Sequence, residues 1–212
     1  MGRYLEFIKT YRLLHRNSQK HIIFKDAYYF VTIKTHNNLL FFREHIFGDL
    51  FVAIGSEVSK IVTKLLRCKY GEEAQARREN LQFCKQLKGF LLFAWVICYE
   101  HVHLLLQPND KWNISDVIHS LKRHTSRNMN ILVDSISESA DSYPHFQSEV
   151  SYRFLSKFKW QKSFYDHYIR NDRDFDHHMD TIERNPVKHG LPPDWPYIYI
   201  NPKYEDLTDD CI

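Results

Sequence analysis

An uninterrupted apolar run at residues 90–98 (FLLFAWVIC) constrains the fold of this chain more than any other feature. The run has the length of a strand, and a strand that is apolar on both faces must be covered on both sides. Residues 99–100 (YE) predict a tight turn, and residues 101–107 (HVHLLLQ) predict a second strand. We therefore expect a β-hairpin in the middle of a sheet.

The segments around this hairpin alternate between strand and helix patterns. Aromatic and β-branched residues predict strands at 27–35 and 158–169, and apolar spacings of three and four predict helices at 47–67, 114–129 and 172–184. Asn113 and Asp116 predict a helix cap, Asn185-Pro186 predict the end of the last helix, and 131–157 read as a loop. This order predicts an α+β fold: a ferredoxin-like βαββαβ sandwich with an added C-terminal helix and an irregular tail.

The composition favours one domain in a reducing compartment. We divide the 212 residues into a basic N-terminal extension at 1–24, a single domain at 25–198 and a tail at 199–212. No run approaches the roughly 18–20 apolar residues that cross a bilayer. The four cysteines have no paired short spacing, which argues against a disulfide framework. We expect a cytoplasmic protein without membrane contact.

Two histidines on the second strand of the hairpin are candidate metal ligands. Residues two apart in a strand point to the same side, so His101 and His103 share one face. Two converging imidazoles can supply two nitrogen ligands to a divalent cation, and further ligands must complete the site. The alternatives are two half-buried histidines bonded to neighbours, or a zinc site that begins with Cys98 and His101. Cys98 ends a buried strand and is better explained as a small core residue.

A cationic stripe lies on the helix after the hairpin. Intervals of three and four relate its members, which are His119, Lys122, Arg123 and Arg127. Such a stripe can neutralise phosphates, and it can equally be a solvated helix face. The net charge of +3 does little to decide between these two explanations.

Three blocks of the sequence resemble one known family. Residues 95–106 (WVICYEHVHLLL) are similar to the central hairpin of the single-tyrosine HUH transposases, which carry two histidines around one hydrophobic residue. Residues 160–171 (WQKSFYDHYIRN) and 185–191 (NPVKHGL) resemble two further blocks of the branch found beside repetitive extragenic palindromes. The blocks keep the family's order, and the likeness covers residues 27–197. One departure is Tyr99-Glu100, where that branch often has Pro-Asn.

The resemblance implies strand transfer on DNA in a metal-assisted site. In that family a tyrosine hydroxyl attacks a backbone phosphorus, the protein stays joined to the 5′ phosphate and a 3′ hydroxyl leaves. The likeness further implies that His101 and His103 bind Mg²⁺ or Mn²⁺. The implied partner is single-stranded or hairpin DNA, including palindromic repeats, and the implied assembly is a monomer or a homodimer.

A threonine occupies the family's nucleophile position in this chain. Alignment on residues 185–188 (NPVK) places the tyrosine position at Thr181, and the amide that can reach the metal at Asn185. Helical geometry independently puts His178, Thr181 and Asn185 on one flank, beside a buried face of Phe175, Met179 and Ile182. We expect Lys188 to contact DNA together with the cationic residues Lys122, Arg123 and Arg127.

Threonine is a poor substitute for a tyrosine nucleophile. Its alkoxide is far harder to form than a phenolate, whose parent group has a pKa of about 10. A threonine nucleophile needs an adjacent base, for which His177 and His178 are candidates. Tyr165 and Tyr168 on the preceding strand are alternative nucleophiles.

Three functions follow from these patterns. The first is a transposase-like protein that binds single-stranded or hairpin DNA and, if a nucleophile remains, cleaves and rejoins strands. The second is a catalytically inactive nucleic-acid-binding protein derived from such a transposase. The third is an unrelated metal hydrolase in which Glu100 is the carboxylate beside the two histidines.

Overall fold

A single antiparallel sheet organises the part of the chain that the computed structural model describes, which is residues 23–24, 27–52, 88–139 and 156–202. Its strands lie in the order β4-β1-β3-β2-β5. Their bounds are β1 Tyr29–Lys34, β2 Leu91–Ile97, β3 His101–Gln107, β4 Tyr165–Tyr168 and β5 Ile198–Ile200. Three α-helices accompany them, which are α1 His45–Val52, α2 Ile114–Ser139 and α3 Asp172–Lys188. Two short 3-10 helices, His36–Asn38 and Phe41–Arg43, connect β1 to α1.

The central hairpin predicted from the apolar run is confirmed. β2 and β3 pair antiparallel, and the Cys98 amide donates to the His101 carbonyl at 2.8 Å to close the turn. The inner order β4-β1-β3-β2 is that of the ferredoxin-like sandwich, so the predicted α+β class is confirmed. The predicted first helix begins within α1, and its part after Val52 lies outside the described residues. So does most of the predicted N-terminal extension.

The tail is more regular than predicted. Ile198–Ile200 forms β5 and pairs antiparallel with β2, with Trp95 opposite Tyr199. The Asn201 amide continues the contact by donating to the Phe93 carbonyl at 2.8 Å. The prediction of an irregular tail is therefore wrong at these residues, because the unpaired backbone groups of β2 offer hydrogen bonds to a segment that alternates apolar and exposed side chains. Residues 203–212 lie outside the described part.

The helix after the hairpin starts as predicted and ends later. Asp116 N–H donates to Asn113 Oδ1 at 3.0 Å and Asn113 N–H donates to Asp116 Oδ2 at 3.3 Å, which forms a reciprocal cap. α2 then continues to Ser139, so the loop predicted from residue 131 is wrong for its first nine residues. Leu132 and Val133 are buried and extend the apolar stripe after Met129, and this burial explains the longer helix.

The last strand predicted before α3 is shorter than expected. Only Tyr165–Tyr168 forms a strand against β1, and Trp160 adds an isolated bridge to Thr35, although the pattern predicted a strand over residues 158–169. Side chains of α2 satisfy the backbone upstream: Asn130 bonds both the N–H and the C=O of Phe158. The Lys122 ammonium donates to the carbonyls of residues 161–163. These contacts replace most of the ladder hydrogen bonds that a strand would form.

α3 continues through the proline that was predicted to end it. Asn171 caps its start by accepting from the Asp174 N–H at 2.9 Å. Pro186 lies in the last turn, where it removes only its own helical donor. The helix ends at Lys188, and Gly190 two residues later has a φ of 63°, which lies in the left-handed region. Gly190 N–H donates to Val187 O at 3.1 Å and Leu191 N–H donates to Pro186 O at 2.9 Å, which is the Schellman pattern.

The two faces of β3 differ in a way that positions the site. Val102, Leu104 and Leu106 point to one face and are fully buried, as the alternation predicted. His101 and His103 point to the other face, over which α3 packs against β2, β3 and β5. Among the described residues, no helix combines the length and the apolar content that spanning a membrane requires.

Candidate functional site

The two histidines of β3 lie side by side beneath α3. Their ring centroids are 4.7 Å apart, and the rings are inclined at 72°. His101 is almost completely buried, whereas His103 keeps part of its surface exposed. The hairpin turn places Glu100 directly before the pair, and β1 places Thr32 opposite His103. Two adjacent strands therefore build this half of the site.

Each histidine has a partner on the same ring nitrogen. His101 Nδ1 donates to Glu100 Oε1 at 2.9 Å, and His103 Nδ1 lies 2.8 Å from Thr32 Oγ1. Metal-binding histidines usually have such a partner, because it fixes the ring and leaves the second nitrogen to the ion. Nε2 is the nitrogen that remains on both rings. The residues present thus fit a divalent cation bound by imidazole.

The protonation state of the pair also fits a cation. Burial, together with positive charge at neighbouring residues, lowers the pKa of His103 to about 3. Burial lowers the pKa of His101 as well, against the opposing effect of its hydrogen bond to Glu100. Both imidazoles are consequently neutral at pH 7, which is the form that coordinates a metal.

A third histidine, His189, joins the pair, and the sequence analysis missed it. Its ring centroid lies 4.8 Å from that of His101. Ligand atoms of Cys98, His101 and His189 lie within 4.8 Å of one another, so the three could hold a metal ion. His189 follows Asn185 by one helical turn, as Asn185 follows Thr181, and this spacing in the third family block was the signal available.

Asn185 and Cys98 bond to each other beside the histidines. Both are buried, and the Cys98 thiol donates to Asn185 Oδ1 at 3.0 Å. Burial, together with the negative charge of Glu100, raises the pKa of Cys98 to about 12, so the thiol is neutral. Asn185 Nδ2 donates to the Thr181 carbonyl at 3.3 Å. The role of Asn185 as a metal ligand stays a prediction, and here its amide oxygen accepts the thiol.

Thr181 lies one turn before Asn185, and its hydroxyl bonds to the backbone of its own helix. Thr181 Oγ1 donates to the His177 carbonyl at 2.8 Å. The candidate base His178 instead uses Nδ1 on the Asp174 carbonyl at 2.7 Å. Among the described contacts, no imidazole reaches the Thr181 hydroxyl. The arrangement gives this threonine no base.

The two alternative tyrosines of β4 point to opposite faces of the sheet. Tyr165 lies opposite Thr32 and so shares the face of the histidine pair, with 54% of its surface exposed. Tyr168 lies opposite the buried Tyr29, and its ring lies 4.6 Å from that of Phe24. Of the two, the register brings only Tyr165 to the site.

A further cluster, His167, Asp174 and His178, joins β4 to the start of α3. His167 Nε2 lies 2.9 Å from Asp174 Oδ2, and the two imidazole rings stack at 4.5 Å. Burial acts to raise the pKa of Asp174, but hydrogen bonds from His167 and the Arg170 N–H lower it overall. Burial lowers the pKa of His178. Phe30 lies between this cluster and the site, since its ring contacts both His178 and His103.

The cationic residues predicted to bind DNA divide into two kinds. Lys122 is half-buried, and its ammonium donates to the carbonyls of Gln161 at 2.6 Å and Ser163 at 2.9 Å. Burial lowers its pKa to about 8. Arg123, Arg127 and Lys188 are exposed instead. Thus Lys122 anchors the 161–163 segment, and the other three present free charge on the surface.

An open groove runs beside the cationic helix face. Its cationic lining comes from both α2 and the segment before β4, and consists of His119, Lys122, Arg123, Lys159 and Lys162. The buried residues Phe158 and Trp160 lie at its base. A basic groove of this kind can follow the backbone of a nucleic acid strand.

Comparison with known proteins identifies the family. The family model described as IS200-like transposase matches residues 61–173, which is more than half of the chain. The chain belongs to the IS200-like transposases. The family predicted from the three sequence blocks is thereby confirmed.

The curated relatives are transposases of one branch. A Haemophilus influenzae protein assigned to the REP-associated tyrosine transposases is 33% identical over 112 residues, which cover 51% of this chain and 57% of that protein. The REP-associated tyrosine transposase of Escherichia coli K12 is 28% identical over 142 residues, which cover 64% and 67%. The chain therefore spans between about half and two thirds of the length of these relatives.

A solved structure shares the fold. It is that of a REP-associated tyrosine transposase bound to a REP hairpin, with a TM-score of 0.50 and 21% identity. The match covers 91% of this chain and 86% of the other. At this identity the likeness supports the fold of an IS200-like transposase.

Proposed function

We propose that this IS200-like transposase binds hairpin DNA and places one backbone phosphate at His101 and His103, while Thr181 no longer cuts the strand. The observation that carries the proposal is the pair of neutral imidazoles whose Nδ1 atoms have protein partners and whose Nε2 atoms remain for a ligand. The DNA hairpin bound by the solved relative supports the choice of substrate. We also propose that the protein meets this DNA in the cytoplasm, as a monomer or a homodimer.

His101 and His103 would hold Mg²⁺ or Mn²⁺, and His189 is near enough to complete the ligand set. When bound, such a cation withdraws charge from a phosphate oxygen and makes the phosphorus easier to attack. The protein's own part is orientation. Glu100 and Thr32 hold the two rings in place, and Phe30 supports His103 by stacking on it at 5.0 Å.

Exposed cations would bind the rest of the DNA backbone. Arg123, Arg127 and Lys188 have their charge in solvent, and each phosphate that they neutralise contributes to a salt-dependent affinity. Lys122 contributes indirectly, because it shapes the groove by bonding the 161–163 carbonyls. The alternative function, a nucleic-acid-binding protein without any catalysis, shares this whole surface.

The contacts of Thr181 are the basis for proposing that α3 no longer supplies the nucleophile for strand cleavage. Its hydroxyl donates a hydrogen bond to the His177 carbonyl, and the described contacts include no base that could remove the proton. A threonine alkoxide at neutral pH requires such a base. α3 therefore keeps the position of the family's nucleophile without its chemistry.

The test measures hairpin binding and cleavage separately. A palindromic DNA hairpin and an unstructured strand of equal length are titrated with the protein in EDTA, in Mg²⁺ and in Mn²⁺, and Mn²⁺ binding is measured by calorimetry. We expect tighter binding of the hairpin, and we expect the double variant His101→Ala/His103→Ala to lose Mn²⁺ binding while keeping the fold. Equal affinity for both DNAs, or unchanged Mn²⁺ binding in the double variant, would refute the proposal.

Restoring a tyrosine at position 181 tests the proposal that α3 has lost its nucleophile. Thr181→Tyr is expected to form a covalent protein–DNA adduct that involves residue 181, because the rest of the site is in place. Thr181→Phe is the matched control, since it adds the ring without the hydroxyl. If the tyrosine variant forms no adduct at residue 181, the alignment of α3 with the family's nucleophile helix is wrong.

A further inference from the structure

A tyrosine outside α3 faces the histidine pair across the sheet. Thr32 of β1 lies opposite Tyr165 on β4 and opposite His103 on β3. Side chains of directly opposed residues in antiparallel strands point to the same face. Tyr165, Thr32 and His103 therefore form a row across three strands, with the tyrosine at one end and the imidazole at the other.

The space along this row suits a phosphodiester. Neighbouring strands lie about 4.8 Å apart, so the backbones of Tyr165 and His103 are separated by about 10 Å. The residue between them, Thr32, has a short side chain that bonds the His103 ring. Lys34 lies on the same face of β1, opposite His101, and adds positive charge beside the row. A backbone phosphate above Thr32 would thus have imidazoles on one side and a phenol on the other.

Tyr165 is also accessible enough to react. Its side chain is 54% exposed, and no hydrogen bond to its hydroxyl occurs among the described residues. Tyr168 is less exposed, because it lies opposite the buried Tyr29 and packs against aromatic rings on the other face. The two tyrosines stand three residues apart on one strand and form a natural pair of test and control.

We propose that Tyr165 replaces the tyrosine missing from α3 as the nucleophile for DNA strand cleavage. The Tyr165 Oη attacks the phosphorus, an Oη–P bond forms and the P–O3′ bond breaks. The phenol loses its proton to water, and the departing 3′ oxygen gains a proton, so no oxidant or further reactant is needed. The product is a 5′-phosphotyrosyl adduct and a free 3′ hydroxyl. This inference rests on the proposed function, because it takes the phosphate to lie at the histidine pair.

The experiment uses the full chain and a palindromic DNA hairpin with a single-stranded flank, in Mn²⁺ and in EDTA. Adducts are separated under denaturing conditions, and the linked residue is identified by mass spectrometry of the peptide. We expect an adduct at Tyr165 that falls at least about 100-fold in Tyr165→Phe. Tyr168→Phe and Thr181→Val should form it within about twofold of the unmodified protein. Retained hairpin affinity shows that Tyr165→Phe is folded.

The outcomes separate this inference from the proposed function. An adduct that survives Tyr165→Phe, or a bound hairpin without any adduct, overturns the role of Tyr165 and leaves hairpin binding intact. Failure to bind the hairpin at all overturns the proposed function, and the inference falls with it.

A second readout tests the geometry without catalysis. Fluorotyrosine is placed at position 165 or at position 168, and its fluorine signal is followed as Mn²⁺ is added in the absence of DNA. Paramagnetic broadening falls steeply with distance from the ion. We expect the signal at 165 to broaden clearly more than the signal at 168, since only the former shares the face of His103. Equal broadening would contradict the placement of Tyr165.

Discussion

The two walls of the site, β3 below and α3 above, differ in what their polar side chains bond to. On β3 both histidines have a dedicated partner, Glu100 or Thr32, and burial lowers the pKa of both. On α3 the corresponding positions bond to the fold itself: Thr181 to the His177 carbonyl and Asn185 to the Cys98 thiol. The strand wall is arranged to receive a ligand, and the helix wall is arranged to hold the protein together. This contrast fits the proposal that α3 has lost its nucleophile while β3 can still receive a ligand.

The largest predicted effect is on the Mn²⁺ affinity of the strand wall, which is β3 with its two histidines. Glu100→Gln weakens the partner of His101 by removing the carboxylate charge, and Thr32→Val removes the partner of His103, without touching either Nε2. We expect Mn²⁺ affinity to fall by about 10–100-fold in each, because such partners fix the ring that binds the metal. Calorimetric titration with Mn²⁺ measures this.

The exposed α3 carboxylate of Glu183 supplies the matched control for Glu100→Gln. Glu183→Gln removes the same charge at a place without a histidine partner. Comparable losses of affinity in Glu100→Gln and Glu183→Gln would mean that overall charge, and not ring orientation, controls the cation.

An intermediate effect is expected on the helix wall. Asn185→Ala leaves the buried Cys98 thiol without its acceptor, which should lower the free energy of unfolding by about 1–3 kcal/mol. Urea denaturation measures the loss. The contrast predicts unchanged Mn²⁺ affinity, whereas a drop of about tenfold or more would show that the Asn185 amide is a ligand, as first predicted, and would break the contrast.

The smallest effect belongs to Thr181 itself. Thr181→Val keeps the shape and removes a hydroxyl that bonds only to its own helix backbone. We expect the free energy of unfolding to change by less than about 0.5 kcal/mol and hairpin affinity to stay the same. Thermal unfolding and the hairpin titration check this together. A clear loss of hairpin affinity would assign the threonine a place in DNA binding.

Local patterns were sufficient to predict much of this fold. The apolar run at 90–98 and the alternation of 101–107 predicted the hairpin and the faces of its side chains correctly. The Asn113–Asp116 cap was correct for the same reason, since it depends on residues three apart in the chain. Predictions failed where a distant segment supplied the partner: β5 pairs with β2, and Lys122 bonds the carbonyls of 161–163.

The site residues also divide into those that local sequence patterns predict and one whose place depends on the tertiary structure. His101 and His103 follow from spacing alone, and Thr181 and Asn185 follow from spacing together with the family likeness. His189 was visible in the third block, but its approach to His101 depends on how α3 crosses the sheet. The ring centroids of His189 and His101 are 4.8 Å apart, although the two residues are almost ninety positions apart in the chain. No local sequence pattern predicts a contact over such a separation.

By itself, the sequence determined that this chain has a central hairpin with a histidine pair on one face of it, and its family likeness predicts that Thr181 stands at the nucleophile position. Those features depend on periods of two and of 3.6 residues along one segment. Only the tertiary structure decided which of Tyr165 and Tyr168 faces the histidines. The pairing register between β4 and β1 sets that choice, and a shift of one residue would exchange the two faces.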